Sequence, residues 1–278
     1  MAGYIITVIG GKGGVGKSQF AANLAFAFAA ESRSKTLLLD FDQKASGDLN
    51  IITGIKGKKN LKDLSEFAGA IDPKTIVQFV TPHPQNVNYI GMPNDPMQSD
   101  SIDPEGLGKT LKAATNLYQL TVIDGGNELN SLTLKALEFS TMIFVVVSPD
   151  IIAVNQTRRL YSDLITMLFP KDSIQLVVTQ NQKGHPVTPD VIGKQIGKPV
   201  FAAIPRDDQT CVQALNSSKP IMVAAKNSAF AKGMTECVRK LIQKNVLKTL
   251  AKLKKPEGAG KKKETKKVPT ASELKEKK

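Results

Sequence analysis

Residues Gly10 to Ser18 read Gly-Gly-Lys-Gly-Gly-Val-Gly-Lys-Ser. Within them Gly11, Gly16, Lys17 and Ser18 fit the spacing G-x-x-x-x-G-K-[ST] of a phosphate-binding loop. The chemistry that spacing allows is electrostatic. A helix starting near Gly16 aims unpaired N–H groups and its positive dipole end at the loop. Glycines remove Cβ atoms, so the backbone can wrap closely around phosphate oxygens. Lys17 is placed to neutralise β- and γ-phosphates, and the Ser18 hydroxyl to ligate Mg²⁺. An ordinary glycine-rich turn with a solvated lysine would share the composition but not the context. Tyr4 to Ile9 is apolar and β-branched, as a buried strand is, and Gln19 to Ala30 is rich in Ala, Leu and Phe, as a helix is.

Three acids accompany the loop. A short apolar run, Thr36 to Leu39, ends at Asp40 and continues Phe41-Asp42-Gln43-Lys44. Carboxylates at i and i+2 on an extended segment point to the same side, here at the strand edge where open α/β sheets bind ligands. Strand-end acids capping a turn are the plainer alternative. A second apolar strand, Leu120 to Ile123, ends at Asp124. Beside a phosphate loop, that is the Walker B arrangement, whose Asp holds the Mg²⁺ shell, often through water. The two histidines, His83 and His185, lie next to prolines and read as loop residues without a catalytic role.

Strands and helices alternate along the chain to position these groups. Asn86 to Ile90, Met142 to Val147, Ile174 to Thr179 and Val200 to Ile204 read as further strands, with the very apolar Met142–Val147 segment expected centrally. Helices are expected at Leu61 to Ala70, Pro104 to Thr115 with Asp103 as N-cap, Leu129 to Ser140, Ile151 to Phe169 and Ala229 to Leu253. The segment Gln43 to Asn60, with three glycines and four lysines, reads as a mobile loop with little core of its own. Gly91 to Pro104 and Lys183 to Pro189 read as loops, and Asp72 to Pro84 stays open. This alternation implies an α/β fold of three layers, helices on both faces of a mostly parallel sheet. The folded unit is expected over 1–254, followed by a basic tail, 255–278, whose Lys/Glu/Gly/Pro-rich composition implies disorder.

The chain has 278 residues, 41% of them hydrophobic, enough for one such domain. Its net charge of +13 favours acidic partners: nucleic acid, anionic lipid or an acidic protein face. Lys240, Lys244, Lys248 and Lys252 form an i, i+4 stripe on the expected last helix, either a solvated face or a phosphate-contacting ridge. Two distant cysteines, Cys211 and Cys237, form neither a disulfide framework nor a zinc pattern. They suit a reducing cytoplasm. No signal-peptide pattern and no apolar run of ~20 residues is present.

Lys12 narrows the reading. With a second lysine early in the loop, Lys12-Gly13-Gly14-Val15-Gly16-Lys17-Ser18 resembles the deviant Walker A motif of the MinD/ParA ATPases. The resemblance covers roughly Ile5 to Ile242 and takes in Asp40-x-Asp42 and Asp124 in the family's order. It implies ATP and Mg²⁺ as cofactors, with Gly11, Lys12, Gly13, Gly14, Val15, Gly16, Lys17, Ser18 and Gln19 around the phosphates. Lys12, Lys17 and Asp42 become the catalytic set: Lys12 reaches across a homodimer to the partner's nucleotide, and Asp42 orients the attacking water. Ser18, Asp40, Asp42 and Asp124 become the metal side. Ile204-Pro205-Arg206-Asp207 is similar to the family's Ile-Pro-x-Asp segment, which implies Pro205 and Arg206 beside the adenine, with Thr179 to Gln182 as the opposite wall. Gly125-Gly126 departs from the proline-containing turn of relatives.

Asp40 to Asn50, Leu61-Lys62-Asp63-Leu64, Leu129 to Leu137 and Ser148-Pro149-Asp150 look most like the CpaE/TadZ branch, which localises pilus and secretion assemblies. That branch implies a dimerising ATPase that positions a surface machine, with recruitment to a pole, the nucleoid or an inner-membrane complex. A ParA-like partition ATPase binding DNA non-specifically, and a MinD/FlhG-like regulator of division or flagella, are the alternatives. The tail lacks the Leu/Phe-rich amphipathic ending by which MinD proper grips membranes. It also lacks the tyrosines of bacterial tyrosine kinases, and no cluster cysteines stand near the switch segments as in nitrogenase-reductase-like proteins.

Overall fold

The computed structural model describes residues 3–67, 71–93, 95–243 and 245–253. The expected tail, 255–278, and Lys244 lie outside them. The first half of the chain runs β1 (Tyr4–Gly10), α1 (Lys17–Ser32), β2 (Thr36–Asp40), α2 (Asp48–Thr53), α3 (Leu61–Ser65), α4 (Pro73–Val77), β3 (Thr81–His83), β4 (Val87–Ile90), α5 (Pro96–Ser99), α6 (Pro104–Ala114) and β5 (Leu120–Asp124). The second half adds α7 (Ser131–Phe139), β6 (Met142–Val147), α8 (Ile151–Thr166), β7 (Ile174–Asn181), α9 (Pro189–Ile196), β8 (Val200–Pro205), α10 (Asp208–Asn216), α11 (Ile221–Ala224), α12 (Ala229–Gln243) and α13 (Val246–Leu253).

The strands form one eight-stranded sheet in the order β3-β4-β2-β5-β1-β6-β7-β8. Every pairing is parallel except β3 with β4. The fold is therefore the three-layer α/β arrangement expected. Period-2 alternation assigns side chains to the two faces. Leu38, Val122, Val8 and Ile6 join one apolar cluster with α1 and α12, while Leu37, Leu39, Ile123 and Ile5 join the other with α3, α4 and α6. Helix α1 has apolar residues all round and is covered all round: Phe20 through Ala29 are buried without a break. The chain leaves β1 towards β2 on one side, whereas β6 lies on the other. The loop after β1 thus stands where connections diverge, at the carboxyl ends of the strands, the place open α/β sheets use for ligands.

Several expectations needed correction. Residues 43–60 are not a coreless loop: α2 buries Leu49 and Ile52, and Ile55 follows them inside. The helix is six residues framed by left-handed Gly47 (φ 92°) and Gly54 (φ 70°), too short for periodicity to reveal. The open segment 72–84 holds α4 and β3, so His83 is a strand residue, its ring edge-on to Phe26 at 4.8 Å. The loop 91–104 contains α5, and α9 went unread. The single terminal helix is two: α12 ends at Gln243, Asn245 has φ 48°, and α13 begins at Val246. The lysine stripe is not a continuous ridge, and the Lys240 ammonium turns back onto the Phe201 carbonyl and over its ring. Among the described residues no helix is long and apolar enough to cross a membrane.

Candidate nucleotide-binding site

The loop between β1 and α1 is shaped by glycine in two different ways. Gly14 and Gly16 adopt left-handed backbones (φ 77° and 84°), and a Cβ added at Gly13, Gly14 or Gly16 would meet no protein atom within 4 Å. These positions border open space. Gly11 is the reverse: an added Cβ there would lie 2.7–2.8 Å from the backbone of Gln156 and Thr157 on α8. The end of β7 pins the loop, with the Thr179 hydroxyl donating to the Val15 carbonyl (2.6 Å) and the Gln180 amide to the Gly14 carbonyl (3.3 Å). Helix α1 starts with no side-chain cap and no acid in its first turn. Its first N–H groups and its positive end therefore remain available to an anion. Lys17 is buried, 6% exposed, and its ammonium donates to the Lys12 carbonyl at 3.4 Å. Gln19 accepts from Asn23 at both its carbonyl and its side-chain oxygen. The open cleft above the loop has a volume of about 510 Å³; Gly13, Gly14, Gly16, Lys17, Ser18, Gln19 and Asp42 line it, with Lys44, Asp48 and Asn127 on the facing wall.

The acids stack beside Ser18. Parallel pairing of β2 with β5 sets Asp40 directly against Asp124 in register. Burial, with a hydrogen bond from Ser18 and a nearby Lys17 only partly offsetting it, pushes the Asp124 carboxyl up to about 6. Burial and the facing Asp124 push Asp40 well above the carboxylate range. Asp40 Oδ1 accepts the Asp42 N–H (3.1 Å), and its Oδ2 is buried without a partner. Asp42 Oδ1 accepts the N–H groups of Lys44 and Ala45, both at 3.1 Å. Its carboxylate lies over Gly126 (φ 67°), where an added Cβ would come within 2.7 Å of it. The Gly125-Gly126 departure thus has a local reason: only glycine lets the two loops close on one another here.

No three acid, histidine or cysteine side chains among the described residues converge on one metal position. Ser18 and Asp42 reach the cleft, while Asp40 and Asp124 lie beneath it, 1% exposed. This donor set fits Mg²⁺, which is bound through one or two protein oxygens plus phosphates and water, and does not form an all-protein cage. The unpartnered oxygen of Asp40 and the Ser18–Asp124 bond are where such a cation's surroundings would be tuned.

Lys12 sits at the rim. Its ammonium is 3.7 Å from Asp150 Oδ1, and both side chains are more than a third exposed. Burial alone would raise the Asp150 carboxyl, but the Ser148 hydroxyl, the Ala153 N–H and Lys12 together hold it below its ordinary value. Asp150 is also the N-cap of α8, and the next two residues, Ile151 and Ile152, are 73% and 58% exposed. On the expected base side, the Arg206 N–H bonds the Asn181 carbonyl, which joins the ends of β7 and β8. The Arg206 guanidinium is engaged by Asp208, and Pro205 packs where Gly233 leaves room. Neither Pro205 nor Arg206 lines the phosphate cleft; Leu215 of α10 does.

A family model described as the CobQ/CobB/MinD/ParA nucleotide binding domain matches residues 6–221. The chain belongs to that family. An ATP-binding protein of Methanocaldococcus jannaschii is 28% identical over 239 residues, which cover 85% of this chain and 87% of that one. Among solved structures, a ParA family ATPase from Chlorobium tepidum superposes with a TM-score of 0.79 at 23% identity, over 85% of this chain and 98% of that one. MinD of Pyrococcus horikoshii, solved with Mg-ADP, gives 0.75 at 20% identity, over 87% and 97%. The CobQ/CobB/MinD/ParA family is one of nucleotide-binding proteins, and its MinD/ParA members are ATPases.

Sequence reading missed Asp150 as the counter-ion of Lys12, and Lys44, Asp48 and Asn127 as walls of the cleft. Asp150 was visible only as part of a strand-ending Ser-Pro-Asp, and its approach to Lys12 depends on how α8 packs. Lys44 stood in the motif segment, but nothing in spacing tells which way a lysine after an Asp-x-Asp points.

Proposed function

We propose that this chain is an ATP-driven dimerising switch: it binds ATP, closes face to face with a second copy, and reopens on hydrolysis. The observation that carries this reading is Lys12 at the open rim of the cleft. It is held by one exposed ion pair, and the two residues after its partner Asp150 are isoleucines that no described element covers. A cation that can leave its partner cheaply and an apolar rim next to it suit closure by another copy.

In this reading the first turn of α1 and Lys17 bind the phosphates, and Ser18 holds the cation with Asp124 orienting its hydroxyl. Mg²⁺, when bound, neutralises charge on the phosphate oxygens. Asp42 orients the attacking water from the closed turn its own carboxylate braces. Lys12 exchanges Asp150 for the facing copy's nucleotide. The output is a nucleotide-dependent change in affinity for a partner, limited by the difference between the two states. The folded unit is 1–254, with the basic tail outside it.

The role we favour is positioning a surface machine such as a pilus or secretion assembly. Its support is the likeness of Asp40 to Asn50 and Leu61 to Leu64 to the CpaE/TadZ branch. Partition on DNA keeps only the net charge of +13 in its favour, now that the lysine stripe is broken. ATP hydrolysis measured against chain concentration tests the switch: the rate per chain should rise with concentration and saturate. A rate per chain independent of concentration rejects it. Capture of partners with an Asp42→Ala chain held in ATP then separates the roles: machine components support positioning, whereas salt-sensitive DNA retention supports partition.

A further inference from the structure

The loop after β2 is tied to the loop after β5 by two adjacent residues. Gln43 lies between them: its amide N–H donates to the Ser99 carbonyl (2.9 Å), and its Oε1 accepts from Asn130 (2.7 Å), the N-cap of α7. Lys44 pairs with Glu128 across the same gap. Lys44 and Glu128 are 67% and 48% exposed at the side chain, so each keeps much of its hydration. An exposed pair of this kind contributes little and is readily exchanged. Yet Lys44 also lines the cleft that holds Gly13, Gly14, Lys17 and Ser18. Its ammonium is a compact charge on a flexible four-carbon stem, poised between one carboxylate and the space a polyphosphate would fill.

We propose that Lys44 reads the terminal phosphate: a triphosphate in the cleft draws its ammonium away from Glu128, while Gln43 keeps the two loops in register. This rests on the nucleotide-switch reading. A triphosphate and a diphosphate differ by one phosphate group, so a state change between them needs a contact to that group alone. Released from Lys44, Glu128 is free to move with Asn127, which lines the cleft, while Gln43 keeps its hold on Asn130. The exchange thus converts the presence of one phosphate into a change in the second loop, with Lys44 as the residue that contacts that phosphate.

Competition by ADP and by ATPγS, each with Mg²⁺, against a fluorescent ADP bound to the full chain tests the exchange. Lys44→Met, which keeps the stem and removes the charge, should weaken ATPγS about tenfold while ADP changes by less than about twofold. Lys44→Arg should keep the wild-type ratio of the two affinities. Glu128→Gln, which frees Lys44, should tighten ATPγS about threefold. Equal loss for both nucleotides in Lys44→Met, no loss for either, or a Glu128→Gln chain indistinguishable from wild type overturns the exchange. A wild-type chain that does not bind the fluorescent ADP would instead bring down the switch reading, and the exchange with it.

Discussion

Gly11 and Gly13 stand two residues apart in one loop and are needed for opposite reasons. Gly11 lets the loop touch the α8 backbone, where a Cβ would come within 2.8 Å of three backbone atoms. Gly13 faces open space. Gly11→Ala should therefore destabilise the fold by about 1–3 kcal/mol, the usual range for overpacking against atoms that cannot turn away. Gly13→Ala should change stability by less than about 0.5 kcal/mol and yet weaken nucleotide binding, because its methyl group enters the space left for phosphate. Urea unfolding beside nucleotide titration separates the two. At this scale the sequence was informative: G-x-x-x-x-G-K-[ST], Asp40, Asp42 and Asp124 all come to one sheet edge, because strand ends and a helix start are local features. The base side, where Pro205 and Arg206 are expected, is set less locally. Where a loop after a strand turns depends on what packs beside it, here Gly233 and Asp208.

Helix α8 links the rim to the far side of the sheet. Its N-cap, Asp150, holds Lys12. Its other end closes with Leu168 in the left-handed region (φ 64°), 88% exposed, with the Phe169 N–H returning to the Leu164 carbonyl. Glycine usually takes that place, since a Cβ in this backbone is strained. Leu168→Gly should stabilise the fold by about 1 kcal/mol, read as a higher urea midpoint at unchanged slope. A second element-level expectation concerns β3. Burial against Phe26 lowers the His83 pKa below 6.5. A base lowered by folding contributes stability that is present above the unfolded value and is lost as pH falls through the folded one. The His83 ring resonance should therefore titrate with a midpoint below 6.5, and His83→Gln should flatten the loss of stability below that pH. A midpoint above 6.5 would contradict the placement of the ring. Elements of three to nine residues (α2, α4, α5, β3, α9, α10, α11) are not legible in the sequence, because so few turns carry no readable period. The Lys240–Lys252 stripe misled for a related reason. Spacing in a sequence continues through a break in the backbone, here between the end of α12 at Gln243 and the start of α13 at Val246.

Across the whole molecule, the sheet order places β1 between β5 and β6, so that every candidate group but Lys12 and the base-side pair converges beneath one cleft. The order itself was not legible, but the alternation of strands and helices, which demands a layered α/β fold, was. Among the described residues no element covers that cleft. Lys12, next to the cleft-lining Gly13, and Ile151 and Ile152, next to its ion-pair partner Asp150, are exposed. In the proposed switch a second copy provides the cover and Lys12 fastens it. Light scattering on the wild-type and Lys12→Ala chains, each with Mg²⁺ and either ATPγS or ADP, tests it most directly. A doubled mass is expected only for wild type with ATPγS, with fluorescent-ADP binding retained in Lys12→Ala. A wild-type chain of single mass with both nucleotides, or a Lys12→Ala chain that doubles as readily, would contradict it.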